Sequence, residues 1–281
     1  MTTRRAFIVG GGLAGLAAVG ASVEVAATHW RGVLHHLGLE HSPDRIVPNA
    51  HVPQISGTMQ SDHMHRRVAW TIAAPAGPLD GVMFCLHGHD EDHRFAFDQM
   101  HMPDVVAADG ARLAVAAVDG GAHSYWHPRT DGTDSLGMLL DEFVPMVDNR
   151  LGLDRRALVG WSMGGYGALL AAATAPARFR AVAAASPALW TTPGATAPGA
   201  FDSPADYHRY DVFAHVAALQ PLTVRIDCGT GDPFYAADRA FVGRLQPSSQ
   251  SSFGRGFHDA AYWRSVGPAQ VRTIATALAA R

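Results

Sequence analysis

Three residues in this chain have the type and spacing for nucleophilic catalysis. Ser162 lies in Gly160-Trp161-Ser162-Met163-Gly164, which fits the pattern G-x-S-x-G. The apolar run Ala157-Leu158-Val159 before it reads as a buried strand, and the Ala/Leu-rich run after it reads as a helix. A strand, a sharp turn and a helix together present a serine on strained backbone at a helix N-terminus. Gly160 and Gly164 leave room for such a turn, because side chains there would meet neighbouring backbone. The free N–H groups and the positive end of the helix dipole then face a developing oxyanion. A serine hydroxyl is a poor nucleophile until a base takes its proton. His258, in Gly256-Phe257-His258 ahead of a final helical run, is the candidate base. A carboxylate must orient that imidazole and stabilise its charged form. Asp232 is the first candidate, Asp227 the second and Asp259 the third. Asp232 falls beyond the apolar run Leu222–Gly229, where loops gather at a sheet edge; Asp227 lies inside that run. Gly229 and Gly231 let the chain turn over the edge, and Pro233 biases Asp232 away from helical backbone. Asp232 comes 70 residues after Ser162, and His258 26 residues after Asp232. Those intervals leave room for intervening strands and helices.

The elements that must position these residues are legible as apolar runs. Val82–Leu86, Leu113–Val118, Ala157–Val159, Arg180–Ser186 and Leu222–Gly229 are short and nearly continuous in apolar character. Such runs belong to a parallel sheet covered on both faces. The predicted fold class is α/β, with a mostly parallel central sheet and helices on both faces. Arg67–Ala73 reads as a further strand, paired antiparallel with the stretch around Gly57–His65. Ser135 to Leu151 has helical spacing, with a kink or break expected at Pro145. Phe201 to Leu219 reads as a small helical excursion overhanging the pocket.

Two loops follow strand ends directly. His87-Gly88-His89-Asp90-Glu91-Asp92-His93 supports two readings. In one, the backbone N–H of His89 and that of Met163 form an oxyanion hole. In the other, the cluster ligates metal, as in the H-x-H-x-D-H signature of metallo-β-lactamase-like hydrolases. Two residues rather than one separate His89 from Asp92, so the metal pattern fails and no metal is expected. The second loop, Gly121 to Gly132, gathers Tyr125, Trp126, His127 and Arg129 behind a strand end. These four, with His87 and Trp190, are the expected substrate contacts.

The chain has 281 residues, 48% of them hydrophobic, enough for one large core. A net charge of −3 gives no electrostatic footprint for nucleic acid. Every basic residue is arginine, so Schiff-base lysine chemistry and a P-loop are excluded. Thr3-Arg4-Arg5-Ala6-Phe7-Ile8 ahead of an apolar stretch reads as a Tat-type export signal or anchor over residues 1–27. Gly10 to Gly15 also fits G-x-G-x-x-G, but no strand ending in an acid follows at the required distance, so no dinucleotide cofactor is expected. Residues 28–53 read as a linker, with a short amphipathic helix and an extended proline-containing segment. Residues 54–281 read as the catalytic domain. Export would place the protein outside the cytoplasmic membrane, with membrane association if the signal stays uncleaved. Its substrate would be a small-molecule or cell-envelope ester.

Leu86-His87-Gly88, the Gly160–Gly165 elbow, Gly231-Asp232 and Gly256-Phe257-His258 with Tyr262-Trp263 together resemble the putative-esterase family of α/β-hydrolases. That family includes esterase D and the mycolyltransferase antigens. Gly120-Gly121 with Ser124-Tyr125 and Trp126 is similar to a loop of the latter. The resemblance spans about residues 54–281. It implies ester hydrolysis or acyl transfer through an acyl-enzyme, without a cofactor. It also implies Ser162, Asp232 and His258 as the triad, with His89 and Met163 as oxyanion donors. The chain shows no clear counterpart of the carbohydrate-binding acids expected for mycolyl transfer to trehalose. The leading expectation is a secreted serine carboxylesterase. The alternatives are an acyltransferase using a carbohydrate or lipid alcohol, and a non-catalytic binding module of the same fold. The usual sheet order of these hydrolases places two strands between those carrying Cys85 and Cys228, so no disulfide is expected.

Overall fold

A computed structural model describes residues 31–32, 34–35, 37–246 and 248–280. Residues 1–27, which read as an export signal or anchor, and the Gly10–Gly15 motif lie outside the described residues. Among the described residues eight strands form one sheet: β1 (Gln54–Ser61), β2 (Arg66–Ala73), β3 (Gly81–Leu86), β4 (Leu113–Val118), β5 (Arg156–Trp161), β6 (Ala181–Ala185), β7 (Thr223–Asp227) and β8 (Gln250–Ser252). Their spatial order is β1-β2-β4-β3-β5-β6-β7-β8. The β1–β2 and β2–β4 pairs are antiparallel and the rest are parallel. The fold class is therefore α/β, as the apolar runs predict.

Alternate residues of each central strand serve opposite cores. Val82, Phe84 and Leu86 of β3, with Ala114, Ala116 and Val118 of β4, join one cluster. Met83 and Cys85, with Leu113, Val115 and Ala117, join the other. This two-residue period explains why these runs are apolar throughout rather than alternating. The first face is covered by the helices α2 (Val144–Leu151) and α3 (Met163–Thr174). The second is covered by α1 (Met102–Ala108) and α6 (Ala260–Ala279). Two further helices are α4 (Pro204–Tyr210) and α5 (Tyr235–Val242).

Pro145 does not break its helix. Ser135–Gly137 runs into a π-helical stretch, Met138–Phe143, which continues directly into α2. Proline lacks an N–H and clashes with the preceding turn. The widened π turns ahead of Pro145 take up that misfit while Met138, Leu139 and Phe143 stay buried.

Residues 37–53, read as a linker from sequence, are laid along the domain instead. Val47 and Val52 pack against the core under α6. Asp44 pairs with Arg264 at 2.7 Å, and Ala50 N–H donates to Asp104 at 2.7 Å. Ser42 Oγ accepts from Phe257 N–H at 2.9 Å and donates to Asp259 at 2.8 Å. This strap therefore grips both neighbours of His258.

Cys85 and Cys228 are buried free thiols. β5 and β6 stand between their strands, so three strand spacings of about 4.8 Å separate them, roughly twice the Cα reach of a disulfide. A thiol assay on the denatured, unreduced monomer is expected to find two free cysteines. A count of zero would contradict the strand order.

Candidate active site

The turn between β5 and α3 holds Ser162 at φ 53°, ψ −119°, a conformation that side-chain-bearing residues rarely adopt. Its two glycines are required by contact. A Cβ on Gly160 would lie 2.0 Å from the carbonyl oxygen of Gly164, and one on Gly164 would lie 2.0 Å from that of Leu86. The turn is thus wedged between β5 and the end of β3. Ser162 N–H donates to Ala185 at 3.1 Å, and Ser162 O accepts from Tyr166 and Ala188, both at 3.0 Å. These bonds hold the strained residue in place from three sides.

His258 Nε2 lies 2.9 Å from Ser162 Oγ, and His258 Nδ1 lies 2.9 Å from Asp232 Oδ2. Asp232 is fully buried beyond the end of β7, and its Oδ1 accepts from Phe234 N–H at 2.8 Å. A carboxylate on Nδ1 fixes the tautomer with the proton on that nitrogen, leaving Nε2 to accept from the serine hydroxyl. Asp227 is engaged elsewhere. It pairs with Arg225 at 2.7 Å and accepts from Gln270 at 3.2 Å, while burial pushes its carboxyl up to about 6. Asp259 caps α6 by accepting from Tyr262 N–H at 2.8 Å. Of the three candidate acids, the structure brings only Asp232 to His258.

Met163 opens α3, so its backbone N–H belongs to the first helical turn, where no intrahelical acceptor exists. Its sulfur accepts from Tyr125 N–H at 3.3 Å, which ties the β4 loop to the elbow. Gly88, the residue before His89, runs against the nucleophile: a Cβ there would sit 3.7 Å from Ser162 Cβ. Backbone from the β3 loop and backbone from the start of α3 therefore flank Ser162.

Four of the six expected substrate contacts are structural. His87 is buried; its Nε2 accepts from Gly120 N–H at 3.0 Å and its Nδ1 donates to Gly88 O at 2.9 Å. Burial also lowers its pKa, so it is a neutral clasp between the β3 and β4 loops. Trp126 is fully buried and donates from Nε1 to His87 O at 3.2 Å. Its ring fills the space that side chains on Gly120 and Gly167 would otherwise take. His127 is fully buried, with its ring nitrogens 2.8 Å from Pro128 O and 2.9 Å from Ala200 O. Arg129 donates to Ala200 O and Gly199 O, each at 2.9 Å, and pairs with Asp202 at 2.6 Å. It pins the excursion that carries α4. Arg129→Ala is expected to cost about 1–3 kcal/mol of stability, read as a lower Tm, with KM for a small ester little changed. A raised KM at unaltered Tm would restore the substrate-contact role.

The other two do border the site. Tyr125 and Trp190 have ring centroids 5.7 Å apart, and Trp190 meets Phe234 edge-on at 5.4 Å. Phe234 in turn lies 5.3 Å from the His258 ring. An aromatic wall thus runs from the β4 loop to the base. Phe234 matches no motif in the sequence, although its place two residues after Asp232 is a usable signal. Asp238, on α5, matches none either. Burial and the nearby Asp232 carboxylate push the Asp238 carboxyl well above the usual range.

A mostly parallel sheet, a strained serine at a strand–helix turn and a histidine bridging serine to a buried aspartate define a hydrolase of the α/β type. A family profile described as putative esterase matches residues 81–266. The chain belongs to that family. Among solved structures it is similar to a ferulic acid esterase at 20% identity, with a TM-score of 0.69 over 80% of this chain and 99% of that one. It is equally similar to Staphylococcus aureus FphF, a fluorophosphonate-binding serine hydrolase, at 20% identity and TM-score 0.69, covering 80% and 98%. Mycobacterium tuberculosis MPT51 (FbpC1) matches at 20% identity and TM-score 0.65, covering 80% and 99%. Among curated protein sequences none matches.

Proposed function

We propose that the protein is an exported serine esterase that cleaves carboxylic esters through an acyl-enzyme. The observation that carries this reading is His258, set 2.9 Å from both Ser162 Oγ and Asp232 Oδ2. His258 Nε2 takes the hydroxyl proton as Ser162 Oγ attacks the ester carbonyl. The tetrahedral oxyanion forms against the N–H groups of Met163 and His89. His258 then gives its proton to the leaving alcohol. Water, activated by the same imidazole, releases the acid and regenerates the serine. Tyr125, Trp190 and Phe234 offer apolar and aromatic surface to the ester beside the reacting carbon. No step calls on a cofactor. The arginine pair Arg4-Arg5 and the apolar stretch after it support export in the folded state. Among the described residues no helix is long and apolar enough to cross a membrane. The test is turnover of an activated short-chain ester together with covalent labelling by a fluorophosphonate. Absence of both in folded protein would overturn the reading.

A further inference from the structure

We infer that His89, Asp90 and His123 form a binding site for a divalent transition-metal ion at the rim of the candidate active site. The three residues come from two loops, after β3 and after β4, which no sequence spacing could have joined. Their ligand atoms all lie within 4.8 Å of one another. His89 Nε2 is 2.8 Å from His123 Nδ1, His89 Nδ1 is 2.9 Å from Asp90 Oδ2, and His123 Nε2 is 3.5 Å from Asp90 Oδ1. The two loops are already fastened by Asp90 N–H donating to Ala122 O at 2.9 Å.

Counting protons shows why a cation suits this ring of contacts. Each of the three contacts needs a proton between two acceptors. Two neutral imidazoles carry one N–H apiece, so they supply two. The Asp90 carboxylate holds a proton on His89 Nδ1, which leaves His89 Nε2 to accept from His123 Nδ1. His123 Nε2 then faces Asp90 Oδ1 as one lone pair against another. One positive charge is missing, and a metal ion between imidazole nitrogens and a carboxylate oxygen supplies it. Ligands at about 2.0–2.1 Å from a tetrahedral zinc stand about 3.3 Å from one another, close to the separations here. The side chains are 40%, 70% and 65% exposed for His89, Asp90 and His123, so water completes the coordination. The site sits beside function. The His89 ring is 5.9 Å from that of Tyr125, and the His89 backbone flanks Ser162 through Gly88. An ion there restrains both loops at the mouth of the site without entering the triad.

The binding test is independent of ester hydrolysis. Co²⁺, whose visible bands report its ligands, is titrated into the full chain, with competition by Zn²⁺. One saturable Co²⁺ per chain is expected, with affinity lowered at least tenfold in His123→Ala and in Asp90→Ala. Basal turnover of His123→Ala is expected to match the wild type, and chelator-stripped wild type is expected to stay active. Saturating Zn²⁺ should shift wild-type kcat several-fold and leave His123→Ala unmoved. No saturable Co²⁺ binding would show that a third proton alone closes the ring, and would overturn the proposal. Equal binding or an equal kcat response in His123→Ala would put the ion elsewhere, on His258 for instance, and would overturn it equally.

Discussion

Purified Ser162→Ala is expected to fold and to show no fluorophosphonate labelling, with ester turnover reduced on the order of 10⁴-fold or more. The hydroxyl lies 2.9 Å from His258 Nε2, within reach of the base. Alanine keeps the elbow's backbone and loses one atom, so the Gly160 and Gly164 contacts are undisturbed. The flanking N–H groups would still bind a carbonyl oxygen, which leaves a residual rate above that of water alone. Circular dichroism and Tm close to wild type establish that the loss is chemical. Near-wild-type turnover in a folded mutant would remove Ser162 from the mechanism.

Asp232→Asn is expected to lower kcat by about 10⁴-fold with a smaller change in KM. The amide can present its NH₂ to His258 Nδ1, which turns the imidazole to the tautomer protonated on Nε2. That nitrogen then has no lone pair for the Ser162 proton. Asp227→Asn is the matched control. Its carboxylate faces Arg225 and Gln270, and the neutral amide leaves the Arg225 guanidinium short of a partner. A loss of about 1–3 kcal/mol of stability is expected, with kcat nearly preserved. A larger activity loss for Asp227→Asn at equal stability would exchange the roles of the two acids.

The contrast between those two aspartates shows why much of the site was readable in the chain. Strand ends were marked by the switch from apolar runs to glycine, and the fold gathers strand ends at one edge. Ser162 and Asp232 each follow such a switch, so their convergence follows from topology, whereas His258 follows the short polar strand β8 and is marked only by its place after Gly256 ahead of the final helix. The aromatic loop after β4 behaved differently. Tyr125, Trp126, His127 and Arg129 share one composition and one loop, yet Tyr125 borders the site while the other three face inward. Positive φ at Tyr125 (49°) and Trp126 (54°) turns successive side chains in directions that no sequence pattern marks. His87 departs from expectation for a related reason: a buried imidazole clasping two loops looks in sequence like one offered to a ligand. The strap at residues 37–53 has the sequence of a linker because proline and polar residues signal loops. It is fastened at isolated points such as Asp44–Arg264 and the packing of Val47 and Val52, which have no periodicity.

The strap also sets a chronology. Ser42 meets Phe257 and Asp259 across 215 and 217 residues of chain. It leaves the ribosome well before them and has nothing to hold until they follow. The sheet can assemble strand by strand as synthesis proceeds, but closing so long a loop must wait for the segment around His258. The base that arms Ser162 is therefore flanked by contacts whose two halves are made far apart in translation. A chain interrupted before His258 carries a serine with no base, and reactivity arrives only once that segment has been made.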